Sequence, residues 1–223
     1  APIQKPERNN LAQVIVGTRR CGKTYRLFQE MHDIVDAGYS PETILYFNFE
    51  DERLKPYSPA LLTDVIDTFF MLHPVAREEG CFLFFDEIQE VKDWEKCINS
   101  FRVSLDCDIY ITGSNAKLLS GELATYLGGR YVEFVIYPFS FGEFMELYRS
   151  IAPDAPIQQC FQKYLLAGGM PYLANLRYAD APSKQYLYDL FNSVQLKDIV
   201  KRNKIRDVDL LERIIAYVIA NVG

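Results

Sequence analysis

Short apolar runs alternate with stretches of helical periodicity over residues 1–138. Residues 13–17 (QVIVG), 43–49 (TILYFNF), 81–85 (CFLFF), 108–112 (DIYIT) and 131–137 (YVEFVIY) read as five strands. Continuous apolar runs such as CFLFF suit a parallel sheet that is covered on both faces. Helical patterns fill the gaps at 23–37, 59–72, 92–105 and 116–127. The first places Leu27, Phe28, Met31, Ile34 and Val35 on one face, with Gly38 as its expected stop. The second places Leu62, Val65, Ile66, Phe69 and Phe70 together. This β–α repetition predicts an α/β fold built on a doubly wound, five-stranded parallel sheet.

After Pro138 the pattern becomes helical throughout. Ser140 and Glu143 form a capping box that opens a helix running to about Arg149. Further helices are expected at 157–167, before Gly168-Gly169, at 183–202 and at 208–222.

Composition narrows the class. The chain has 223 residues, 49% hydrophobic and 24% charged, which suits a folded domain and excludes a disordered one. The net charge of −6 argues against a strongly basic nucleic-acid binder. Five cysteines without CxxC spacing and two histidines do not supply a zinc ribbon or a disulfide scaffold. This cysteine usage suits a reducing compartment, so a cytoplasmic protein is expected. No apolar run reaches the roughly 18 residues of a membrane span. The first ten residues are polar with two prolines, unlike a secretory signal, and the chain opens without Met. A piece of a longer protein is therefore expected.

The chemistry concentrates at strand ends. Gly17, Thr18, Arg19, Arg20, Cys21, Gly22, Lys23 and Thr24 match G-x-x-x-x-G-K-[ST], between a strand and a helix. Chance would produce the match in on the order of two such chains per thousand. In such a loop, successive amides and the helix N-terminus face phosphate. Lys23 reaches the β- and γ-phosphates, and the Thr24 hydroxyl binds Mg²⁺. Asp86 and Glu87 end the most apolar strand, a costly place for charge. Asp86 is the candidate metal carboxylate, and Glu87 the candidate base that activates water. The competing reading makes one of them a helix cap.

Thr112-Gly113-Ser114-Asn115 follows the fourth strand, and Ser114 or Asn115 is a candidate to bond the γ-phosphate or the attacking water. A cap for the next helix is equally compatible. Arg130 follows Gly128-Gly129 and is a candidate to reach a phosphate on a neighbouring subunit, with a plain surface arginine as the competing reading. Solvated or interface roles are expected for Arg19 and Arg20. A guanine-reading N-K-x-D element is missing, since residues 203–207 (NKIRD) carry one residue too many, so ATP is preferred over GTP. Lys197, Lys201, Arg202, Lys204 and Arg206 form a candidate DNA-associating segment, although a solvated helix face fits the acidic chain better.

The order GTRRCGKT, FLFFDE, ITGSN, GGR and YPFSFGEF resembles the AAA+-type P-loop ATPases. More narrowly, it is similar to a bacterial and archaeal branch of predicted ATP-binding proteins. The resemblance covers residues 11–223. It implies an ATPase core at 1–138, a helical lid at 139–182, and at 183–223 the start of a winged-helix-like or C-terminal, nuclease-like effector domain. It implies Mg-ATP hydrolysis by a motor or switch module, with a switch of little turnover and a DNA-associated ATPase as alternatives. It also implies a strand order of 5-1-4-3-2. By position it makes Asp86 the metal carboxylate, Glu87 the catalytic glutamate, Ser114 or Asn115 the first sensor and Arg130 an arginine finger across a homo-oligomer interface. In this family an unknown protein partner is also expected. Many such lids carry an arginine near a Gly-Pro turn, and here Tyr172 follows Pro171.

Overall fold

A computed structural model describes residues 11–114, 127–194, 200 and 205–221. The chain divides into two compact units, Ala1–Ser140 and Phe141–Gly223.

The first unit is a five-stranded, all-parallel sheet. Its strands are β1 (Ala12–Gly17), β2 (Ile44–Asn48), β3 (Cys81–Asp86), β4 (Cys107–Ser114) and β5 (Tyr131–Ile136). Their spatial order is β2-β3-β4-β1-β5, which read from the other edge is the 5-1-4-3-2 expected above. Helices α1 (Lys23–Asp36), α2 (Pro59–Leu72), α3 (Val75–Glu78) and α4 (Trp94–Ser104) connect them.

Residue alternation along the strands separates two cores. Ala12, Val14, Val16, Leu83, Phe85, Ile109 and Ile111 pack with Leu62, Ile66 and Phe69 of α2 and with Trp94, Ile98 and Phe101 of α4. Ile15, Phe82, Phe84 and Tyr110 form the other face, against Leu27 and Ile34 of α1. β1 and β3 are buried along their whole length, as their unbroken apolar runs require. Each such large apolar side chain stabilises the fold by about 1.5–3 kcal/mol. On α1 the buried stripe is narrower than its apolar pattern, because Phe28 and Val35 stay partly exposed. The Ser58 side chain caps α2 by accepting the Leu61 N–H at 3.2 Å, and Pro59 suits its first turn.

The elements differ in places from the sequence reading. β4 runs two residues further, because Gly113 and Ser114 pair with Val16 and Gly17. Gly113 and Ser114 therefore belong to the strand rather than to a loop after it. The four-residue α3 is too short to show a period. The helix expected at 116–127 lies almost wholly outside the described residues.

Among its described residues the second unit is helical: α5 (Phe141–Ile151), α6 (Ile157–Ala167), α7 (Asp180–Val194) and α8 (Val208–Asn221). α7 starts three residues before its expected position. Its core is aromatic, with Phe144 fully buried and in contact with Tyr148, Tyr164 and Tyr178. Tyr172 lies in the short 3₁₀ turn Pro171–Ala174.

Candidate nucleotide site

The site is built at the C-terminal edge of the sheet, where parallel α/β folds place their ligands. β1 ends at Gly17, and α1 begins at Lys23. A Cβ on Gly17 would lie 2.3 Å from the Ile136 carbonyl oxygen and 2.7 Å from Cys21 Sγ, so glycine alone fits. Gly22 turns the chain into the helix at φ 104°, ψ 16°, a conformation open to glycine at little cost. Cys21 is buried within the loop, whereas Thr18 and Arg20 are exposed.

Lys23 is 5% exposed, and its ammonium turns back over the loop. Its Nζ donates to the carbonyls of Gly17 at 3.3 Å and Thr18 at 3.2 Å, and lies 3.9 Å from Glu87 Oε1. The loop cation and the candidate base are therefore neighbours.

Asp86 is 1% exposed, and three hydroxyls offset the cost of burying its charge. Thr24 Oγ1 donates to Oδ2 at 2.8 Å, and the Tyr46 hydroxyl donates to the same oxygen at 3.0 Å. Thr112 Oγ1 donates to Oδ1. Burial and the adjacent Asp86 charge push the Tyr46 phenol up, so it stays a donor. A hydroxyl and a carboxylate oxygen converging at Thr24 and Asp86 form the hard-oxygen donor set that Mg²⁺ takes when phosphates supply further ligands. The residues present fit that ion.

Glu87 leaves β3 in the left-handed region, at φ 55°, ψ 42°. Its N–H donates to Thr112 Oγ1 at 3.1 Å, and its Oε2 accepts from Gln89 Nε2. Burial pushes its carboxyl above the usual glutamate value, while the Gln89 hydrogen bond and the Lys23 charge hold it back.

The structure thus brings together residues 17–24, Asp86 and Glu87. The backbone of Ser114 lies beside Gly17, its register partner. Asn115 lies outside the described residues, as do Lys197, Lys201, Arg202 and Lys204. Arg130 is not part of this cluster. It precedes β5, its carbonyl accepts the Ala12 N–H at 3.0 Å, and it therefore sits at the opposite edge of the sheet. The five steps from Ala12 to Gly17 span about 16 Å. Its exposed guanidinium donates to Asn99 Oδ1 at 3.3 Å.

Tyr46, Thr112 and Gln89 were not expected at the site. The only hint for the first two is a hydroxyl near the end of an apolar strand, where Tyr and Thr also pass as ordinary strand formers.

A sequence model of the AAA domain family matches residues 9–145, which span the sheet and every clustered residue. The chain belongs to the AAA domain family. AAA+-type proteins are P-loop ATPases, so this is a nucleotide-binding ATPase fold. An uncharacterised protein of Haemophilus influenzae is 40% identical over 212 residues, covering 95% of this chain and 52% of that protein. An uncharacterised protein of Methanocaldococcus jannaschii is 32% identical over 222 residues, covering 95% of this chain and 48% of its own length. The AAA chain thus spans about half the length of these curated relatives. Among solved structures, the Walker-type ATPase PABY2304 of Pyrococcus abyssi superposes with a TM-score of 0.55 at 15% identity, covering 88% of this chain and 71% of that one. PCH-2 of C. elegans superposes at 0.51 and 13% identity, covering 84% and 61%. At these identities the likeness is one of fold. Among the described residues, no helix is long and apolar enough to cross a membrane.

Proposed function

We propose that the chain binds Mg-ATP and hydrolyses it to ADP and phosphate. The observation that carries this reading is the convergence of Lys23, Thr24, Asp86 and Glu87 at one sheet edge. The loop amides and the Lys23 ammonium bind the phosphates. Thr24 and Asp86 would hold Mg²⁺, which when bound offsets phosphate charge. Glu87 accepts a proton from the attacking water. The water oxygen bonds to the γ-phosphorus as the bond to the β–γ bridging oxygen breaks, and ADP leaves with that oxygen. Ser114 or Asn115 contacts the γ-phosphate or that water. ATP is preferred over GTP. Five free thiols support a cytoplasmic setting.

Two substitutions separate binding from turnover. Lys23→Ala abolishes tight binding of a fluorescent ATP analogue, whereas Glu87→Gln binds it and releases phosphate at least ~10²-fold more slowly. Glu87→Gln turning over at the wild-type rate would remove the base assignment. A wild type that binds ATP without steady phosphate release would instead be a nucleotide switch.

A further inference from the structure

Thr112 has no part in the reading above, yet its single hydroxyl touches both acidic residues. It is fully buried on β4. A threonine hydroxyl offers one proton and two lone pairs. Here the proton goes to Asp86 Oδ1, and a lone pair accepts the N–H of Glu87 at 3.1 Å. One oxygen atom therefore ties the carboxylate of Asp86 to the backbone of Glu87.

That tie falls where the backbone most needs holding. Glu87 occupies φ 55°, ψ 42°, a region that residues other than glycine seldom adopt. Such conformations persist where several contacts over-determine them. Glu87 is held at its N–H by Thr112 and at its carbonyl by the Glu90 N–H at 3.2 Å, and the next residue, Ile88, is fully buried. The φ and ψ of Glu87 set the direction of its Cα–Cβ bond, and hence where its carboxylate arrives.

We propose that Thr112 is the positioning residue of the acidic pair, its hydroxyl bridging Asp86 and the Glu87 amide so that the Glu87 carboxylate is held where the base must act. This rests on the reading of Glu87 as the base. Valine has the shape of threonine without the hydroxyl. It leaves the Glu87 N–H unpaired and frees the backbone to relax, which swings the carboxylate away. Displacing a reacting group by about 1 Å costs up to ~10²-fold in rate.

The test is a double-mutant cycle on the 223-residue chain, reading steady-state phosphate release and the affinity of a fluorescent ATP analogue. Thr112→Val lowers kcat by ~10-fold or more with affinity within ~3-fold, and Thr112→Ser restores most of the rate. In a Glu87→Gln background, Thr112→Val produces no further loss, because its effect runs through Glu87. Wild-type turnover in Thr112→Val, or an equal loss with and without Glu87, overturns the inference. If Glu87→Gln alone is slow while Thr112→Val is fast, only the Thr112 role falls. If Glu87→Gln is fast, the base reading falls and takes this role with it. Should Thr112→Val fail to fold, Thr112→Ser and Thr112→Cys make the same comparison, since only serine keeps a strong hydroxyl. Faster turnover with serine than with cysteine supports the bridge, and equal rates overturn it.

Discussion

Glu87 sits between opposing influences: burial raises its carboxyl, and Gln89 and Lys23 pull it down less strongly. The net shift is upward from the usual glutamate value of 4.5. The basic form therefore fills only above that value, and turnover has an acid limb lying higher than pH 4.5. A kcat–pH profile limited by an unshifted carboxyl would contradict this. The sign for stability follows from linkage. A carboxyl raised in the native state contributes stability that is present below its unfolded value and is lost as pH rises through its folded value. Glutamine is neutral at every pH and escapes that loss. The melting temperature of Glu87→Gln relative to wild type is therefore higher at about pH 7 than at about pH 4. A relative shift of the opposite sign would mean that Lys23 and Gln89 outweigh burial.

The strand–loop–helix element carries two glycines that are needed for different reasons. At Gly17 the reason is space: the Ile136 carbonyl on β5 and Cys21 Sγ occupy the place of a Cβ. At Gly22 space is open, and the reason is the backbone, at φ 104°. Gly17→Ala forces β5 and the loop apart, costing about 1–3 kcal/mol as overpacking does, together with nucleotide affinity. Adding Cys21→Ala does not restore it, because the closer obstacle is backbone. Gly22→Ala costs about 1–2 kcal/mol through strain alone. Thermal melts and nucleotide titrations check all three, and recovery in the Gly17→Ala/Cys21→Ala pair would show that the thiol was the obstacle. The apolar run of β1 and the fixed spacing of its loop residues make this element legible in the amino-acid sequence. Asp86 and Glu87 are legible too, as two carboxylates closing the apolar run of β3, but the hydroxyls that hold them are not. Tyr46 and Thr112 reach Asp86 from 40 and 26 residues away along the chain, and only sheet pairing brings them there. Gly113 and Ser114 extend β4 through backbone pairing, which an apolar pattern does not register.

At the scale of the whole molecule, Arg130 and the phosphate loop lie at opposite edges of one sheet, about 16 Å apart along β1. A guanidinium exposed there is badly placed for a nucleotide on its own phosphate loop, and we propose that it meets one held by another subunit. Supplied in trans, an arginine stabilises transition-state charge by ~10³-fold or more in rate. On the reading that the protein assembles, Arg130→Ala keeps ATP affinity and loses most turnover. Asn99, which accepts its hydrogen bond at 3.3 Å, is a partner that it can exchange on assembly. Mixing makes the geometry decisive. Arg130→Ala lacks the finger and keeps Glu87, whereas Glu87→Gln lacks the base and keeps the finger. Each is inactive alone, and a mixed interface joins an intact Glu87 to an intact Arg130. Phosphate release therefore reappears when the two are combined, and reaches its maximum near equal amounts. Co-assembly without recovery would remove the trans role, and a monomeric wild type that turns over briskly with ATP would leave Arg130 a surface residue bonded to Asn99.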